Sequence, residues 1–220
     1  MIKAVIFDLD GTILYSLPDI YQAIQVALLK HHCDAVTIDA VKDALGSGVH
    51  HLIDKVTHAC SLETKKEVLK TYETYYTSSP TRYSKPYDGI IELLHMLKHH
   101  HIKIGVASNK SQALVEIMIN TYFKAYVDAY RGDIFGKPKK PNPEMLIDVM
   151  HQLSVSKEEI IYIGDSEQDI LAAKEIGCQH IMVSYGYRHI NTLKQYHPDD
   201  IVHSVKTLKE SLERIMYGSN

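Results

Sequence analysis

The chain has 220 residues, enough to bury a substantial core as one large domain or one domain carrying an insertion, and 23% of them are charged. Its formal net charge of -3 with neutral histidines excludes a global basic field that would draw it to nucleic acid or to an anionic membrane. Three cysteines, Cys33, Cys60 and Cys178, form no Cys-x-x-Cys pair and read as packing residues in a reducing cytoplasm, and the N-terminal apolar run is too short for a membrane span.

The first element is IKAVIFDLDGTIL (2–14), an apolar, β-branched run that stops at Asp8 and Asp10 and turns through Gly11. Such a run predicts a buried parallel strand whose carboxyl end lies at a sheet edge, where open α/β folds bind ligands. Two carboxylates two residues apart on an extended chain project toward one pocket, and a divalent cation there would offset their repulsion. From Tyr15 to about Ser84 the pattern is helical, as in Ile20, Ala23, Ile24, Ala27 and Leu28, with no convincing strand. Leu17-Pro18-Asp19 opens this stretch as a helix start, and Ser78-Ser79-Pro80 followed by Lys85-Pro86-Tyr87-Asp88-Gly89 closes it.

Strand-like and helix-like segments then alternate: IKIGVAS (102–108), helices near 111–121 and 142–152, EIIYIGD (159–165), a helix near 167–176, and HIMVSYG (180–186). The expected fold class is α/β, a doubly wound, Rossmann-like parallel sheet with helices on both faces. Residues 1–14 and 85–220 would form this core and residues 15–84 an inserted helical cap, with Asp8, Ser108 and Asp165 on one sheet edge. SVKTLKESLERI (204–215) is expected to be a helix covering the sheet.

Four clusters, DLDGT (8–12), SNK (108–110), KPNP (140–143) and GDSEQD (164–169), together supply the roles that phosphoryl transfer needs. Asp8 is a candidate nucleophile that would carry the phosphoryl group as an aspartyl phosphate. Asp10 would protonate the leaving oxygen and then activate water. Ser108 offers a hydroxyl and Lys140 a charge to the equatorial oxygens, which gain negative charge during transfer. Asp165 completes a hard oxygen site suited to Mg2+, with Asp8 and the backbone carbonyl of Asp10. Asp169, four residues on, would hold a metal-bound water or orient Lys140. Taken singly, each cluster reads as well or better as a polar turn, a helix cap or a proline-rich loop. In this order, with three of them at predicted strand ends, they resemble the four motifs of the haloacid dehalogenase superfamily of phosphohydrolases.

The resemblance spans nearly the whole chain. It implies Asp8 as nucleophile, Asp10 as general acid and base, Ser108 and Lys140 as phosphate ligands, and Asp165 as metal ligand with Asp169 behind it. Thr12 and Asn109 match supporting positions, Asn109 beside the phosphate. Lys140 is preferred over Lys137 and Lys139 because it opens the Lys-Pro-x-Pro pattern of 140–143. Asp10 favours magnesium-dependent phosphate chemistry over dehalogenation, and DLDGTILYSLPDI, LGSGVHHLI (45–53), KPYDGIIELL (85–94) and VASNK (106–110) are similar to phosphoglycolate phosphatases. Tyr15 departs from that pattern, where an Asp is common.

A small phosphorylated metabolite is the expected partner, handled by a monomer or homodimer, with neither nucleic acid nor membrane implied. Pyrophosphate, a nucleotide monophosphate and a sugar phosphate in a β-phosphoglucomutase reaction are alternative substrates of the same core. A metabolite-sensing protein without turnover is the non-enzymatic alternative. Gly46, Ser47 and Gly48 form the cap loop proposed to press on the substrate, a loop that reads equally as a helix-to-helix turn. Of the 14 histidines, His95 and His99 have a metal-compatible spacing but suggest a solvated helix face. Tyr72, Tyr75 and Tyr76 read first as packing of a helical bundle.

Overall fold

The computed structural model describes residues 1–218. The strands are β1 (Ala4–Phe7), β2 (Leu14–Tyr15), β3 (Lys85–Pro86), β4 (Lys103–Ser111), β5 (Ala129–Asp133), β6 (Ile160–Gly164), β7 (Gln179–Val183) and β8 (Asp200–Val202). Six of them form one sheet in the order β5-β4-β1-β6-β7-β8, and every pairing in it is parallel. After four helices between β2 and β3, the helices of this layer are α5 (Ile90–His99), α6 (Gln112–Met118), α7 (Glu144–Leu153), α8 (Glu167–Ile176), α9 (Ile190–Gln195) and α10 (Val205–Tyr217).

The alternation of β1 shows how the sheet is covered. Val5 and Phe7 face one apolar cluster, with Leu93 and Leu97 of α5, Val115 of α6 and Leu208 and Leu212 of α10. Ala4 and Ile6 face the other, with Met145, Leu146 and Val149 of α7 and Ala172 and Ala173 of α8. Successive side chains of a strand point to opposite faces, so an all-apolar strand needs helices on both sides. The doubly wound α/β sheet is therefore the architecture that the sequence pattern predicts.

Between β2 and β3 the chain is helical: α1 (Leu17–Lys30), α2 (Ile38–Asp43), α3 (Val49–Val56) and α4 (Leu62–Ser78). The stripe of Ile20, Ala23, Ile24, Ala27 and Leu28 is buried, as its spacing requires. The two crossings into and out of this segment are tied together, because β2 and β3 pair antiparallel with Leu14 opposite Pro86. Asp19 reinforces the join by accepting hydrogen bonds from the amides of Tyr83 and Ser84 and from the Ser84 hydroxyl. His95 and His99 are exposed on α5. Cys33 and Cys60, expected only to pack, bring their sulfurs to 3.2 Å, and burial together with Cys60 pushes the Cys33 thiol up to about 11.

Candidate active site

The strand order places a topological switch at β1: the chain adds β4 and β5 on one side of it and β6 to β8 on the other. Ligands of open α/β sheets bind outside the carboxyl ends at such a point. Asp8 leaves β1 there, its amide bonded to the Ile163 carbonyl at 2.8 Å. Ser108 lies in β4 and Asp165 follows β6, so the three meet on the edge that the sequence predicts.

Lys140 draws the edge together. Its Nζ donates to Asp8 Oδ1 at 2.8 Å, Asp169 Oδ1 at 2.7 Å, the Tyr162 hydroxyl at 3.0 Å and the Ala107 carbonyl at 2.8 Å. Burial alone would lower its pKa, but Asp169 and Asp8 more than offset that and hold it above the ordinary range. Lys139 instead reaches Asp133, and Lys137 is exposed. Of the three lysines, Lys140 is the one bonded to Asp8 at the sheet edge.

Asp169 belongs to this lysine. Its Oδ1 accepts from Lys140 and Tyr162, and its Oδ2 from the Asp165 and Ser166 amides and the Ser166 hydroxyl. Burial raises its pKa, yet Lys140 and these hydrogen bonds win and hold it below the usual carboxylate value. Asp8 moves the other way: burial, opposed by Lys140 and aided by Asp169 and Asp10, pushes it up to about 6. Asp165 is raised well above the carboxylate range by burial and then by Asp8 and Asp169.

Asp8, Asp165 and Asp169 each place a carboxylate oxygen within 4.8 Å of the others. Asp169 is spent on Lys140, whereas Asp8 and Asp165 each have one oxygen that carries no hydrogen bond among the described residues. Two crowded, buried carboxylates whose ionisation burial resists fit a hard divalent cation such as Mg2+. Asp165 is aimed by the backbone: the Tyr187 amide donates to its Oδ2 at 2.6 Å. Gly11, with φ of +85°, makes room for that carboxylate, since a Cβ there would lie 2.3 Å from Asp165 Oδ2.

Asp10 lines the same cavity as Asp8 and Asp165 but has its own hydrogen-bond partners. It accepts from the Ser16 hydroxyl at 2.5 Å and from Lys110 Nζ at 2.9 Å. Lys110 was not singled out from the sequence, although it ends the SNK cluster. Its ammonium is buried over the Tyr76 ring, 4.7 Å from the centroid. Ser16 in turn meets the Tyr187 hydroxyl, which also takes the Ser16 and Leu17 amides at 2.9 Å. Thr12 is buried with an unpartnered hydroxyl, and its carbonyl accepts from Tyr185. Asn109 directs its amide group to the carbonyls of Gly46 and Lys140, both at 2.9 Å.

A cavity separates this edge from the helical insertion, lined on the insertion side by Ile20, Leu45, Val49, Leu52 and Tyr72. Gly46 and Gly48 also line it, while Ser47 accepts a hydrogen bond from Gln168. Tyr72 therefore both packs the helical bundle and faces the cavity. The sequence signal that would have found Lys110 is its place two residues after Ser108. Arg188 and Tyr187, from the loop after β7, carry no comparable local signal.

A phosphoglycolate phosphatase from Vibrio parahaemolyticus is 31% identical over 218 residues, covering 95% of this chain and 95% of its own. Another, from Aquifex aeolicus, is 31% identical over 195 residues, covering 86% of this chain and 88% of its own. The crystal structure of a candidate phosphoglycolate phosphatase from Lactobacillus delbrueckii subsp. bulgaricus superposes with a TM-score of 0.90 at 27% identity, over 96% of this chain and 98% of that one. CbbY from Rhodobacter sphaeroides, solved with phosphate, shares the fold at 20% identity, with a TM-score of 0.79 over 94% of this chain and 96% of its own. The pattern of the haloacid dehalogenase-like hydrolases matches residues 5–183, a span that runs from β1 through the helical insertion to the end of β7 and takes in every residue of the acidic cluster, and the chain belongs to that family.

Proposed function

We propose that the chain is a magnesium-dependent phosphomonoesterase that works through an aspartyl phosphate on Asp8, with 2-phosphoglycolate or a similar small phosphorylated metabolite as substrate. The observation that carries this reading is the convergence of Asp8, Lys140 and Asp165, from three distant segments, at one buried sheet edge. An Asp8 oxygen attacks phosphorus and the ester P–O bond breaks, the leaving oxygen taking a proton from Asp10. Water then gives a proton to Asp10 and attacks the phosphorus of the acyl phosphate, releasing phosphate and restoring Asp8. Lys140 and Ser108 face the oxygens that gain charge, and Lys140 keeps its proton because two carboxylates surround it. Asp8 and Asp165 would hold Mg2+, whose positive charge would offset that of the phosphoryl oxygens.

Residues 15–84 serve in this reading as a cap over a core of residues 1–14 and 85–220. The small apolar wall of the cavity and the Lys110 ammonium beside it suit a compact substrate with a second anionic group. The test is phosphate release from a panel of 2-phosphoglycolate, pyrophosphate, nucleotide monophosphates and sugar phosphates. Release is expected with Mg2+ and is expected to vanish with chelator. Preference for another compound would reassign the substrate, and binding without turnover in Mg2+ would support a sensor.

The raised Asp8 pKa gives a pH signature that needs no substrate. In the metal-free protein Asp8 holds its proton to about 6, against an ordinary 3.8, so folding binds a proton more tightly than the unfolded chain does. The stability this contributes is complete below the ordinary value and is lost as pH rises through about 6. Asp169, held low, acts in the opposite sense but only below the ordinary carboxylate value. In chelator, Asp8→Asn is therefore expected to melt above the wild type at about pH 7, with the gap closing toward about pH 5. Equal melting temperatures at both pH values would remove the charge burden assigned to Asp8.

A further inference from the structure

The segment joining α2 to α3 lies over the sheet edge, and it is held there by side chains of the core through its backbone. Arg188 makes most of the attachment. One guanidinium Nη donates to the Asp43 carbonyl at 2.9 Å and the other to the Leu45 carbonyl at 2.8 Å, while Nε pairs with Glu167 at 2.6 Å. Asn109 adds the Gly46 carbonyl at 2.9 Å, and Gln168 reaches the Ser47 hydroxyl at 3.2 Å. Three carbonyls within four residues thus point at the core. The approach is close, because a Cβ on Gly46 would sit 3.3 Å from the Arg188 guanidinium and 3.4 Å from Ser166 Cβ.

Arg188 suits this task for reasons a lysine does not share. Its planar fork can hold two carbonyls and a carboxylate at once without changing shape, and it stays charged throughout the working pH range. Glu167 stands at the start of α8, two residues after Asp165, so the clamp is anchored beside the metal-compatible cluster. The guanidinium lines the same cavity as Asp8 and Asp10 but bonds to the cap loop. We propose that Arg188, fixed by Glu167, is a positioning residue that clamps the loop 43–48 over the phosphoryl site and so sets how well that site is shielded from water. The link to turnover rests on the phosphatase reading above; the clamp itself does not.

The experiment combines hydroxyl-radical footprinting of the substrate-free protein with kinetics, for wild type, Arg188→Ala and Arg188→Lys. Tyr72 and Leu52, buried on the cap side of the cavity, report opening, and Tyr162, buried in the core, reports general loosening. The clamp predicts several-fold greater labelling of Tyr72 and Leu52 in both variants with Tyr162 unchanged. Low concentrations of guanidinium ion should reverse it in Arg188→Ala. On a phosphorylated substrate, kcat and KM should change together and kcat/KM fall roughly ten- to a hundredfold, because the loop must close for each turnover. Unchanged labelling of Tyr72 and Leu52 in the free variants, with a rise in KM alone, would make Arg188 a substrate ligand and overturn the proposal. Equal increases at Tyr72 and Tyr162 would mark a merely structural arginine and overturn it as well. If the wild type turns over no phosphate ester, the phosphatase reading falls while the labelling still decides the clamp.

Discussion

Asp8→Asn is expected to lose turnover by about 10^4-fold or more while keeping the fold. Asparagine has nearly the shape of aspartate, and its carbonyl oxygen can still accept from Lys140, so the packing at the end of β1 survives. What it lacks is a second carboxylate oxygen and the negative charge that makes the group a nucleophile. Steady-state phosphate release and circular dichroism on the same preparation check both halves. Retention of more than about a hundredth of the wild-type rate would sink the covalent role, because removal of a nucleophile costs far more than that. A collapsed spectrum is not expected, since the substitution also removes a buried charge that the metal-free protein holds at a cost.

Lys140→Met carries the second large effect, and it strikes stability as well as rate. Methionine approximates the lysine stem, so the loss is of charge and hydrogen bonds rather than of volume. The ammonium is bonded to Asp8, Asp169, Tyr162 and Ala107 and is only 3% exposed. Without it two buried carboxylates face each other uncompensated, and breaking a buried pair in this way costs about 3–5 kcal/mol. For a chain of this size that corresponds to a fall in Tm of roughly 6–20 °C. The rate should fall by about 10^2-fold or more, because a fixed cation no longer meets the charge that develops on phosphorus oxygens. Lys137→Ala should change neither quantity. A Lys140→Met protein with wild-type Tm and turnover would shift the phosphate-binding role to Lys139.

The sequence carried the fold wherever apolar pattern and local chemistry agreed. AVIF, KIGVAS, IIYIG and HIMV lie within observed strands because each is apolar enough to demand cover on both faces. The missed strands fail that criterion. β5 reads AYRGD, and its buried Arg131 pairs with Asp148 on α7 and donates to the Gly132 carbonyl, a compensation invisible in a linear pattern. β8 is three residues long and starts with an aspartate. The candidate site divides in the same way. Asp8, Ser108, Lys140 and Asp165 announce themselves through local motifs at strand ends. Arg188 gains its place by meeting carbonyls of residues 143 and 145 positions earlier, and carbonyls leave no trace in residue identity. Lys110 lay in plain view beside Ser108, but only the folded chain shows that it turns to Asp10.

The central position of β1 has a consequence for how the protein is made. Ala4 pairs with Lys103 on one side and with Ile160 on the other, so β1 is synthesised well before both its neighbours exist. At roughly 5–20 residues per second, the 155 residues between Ala4 and Ile160 represent about 8–30 s of synthesis during which AVIF lacks its second partner. The helices of residues 17–78 can collapse locally in that time, since their contacts span short stretches of chain. The helical insertion can thus form before the sheet is complete, and conditions that slow translation lengthen the exposure of AVIF. Asp8, which bonds to the Ile163 carbonyl, reaches its final place only once β6 has been made.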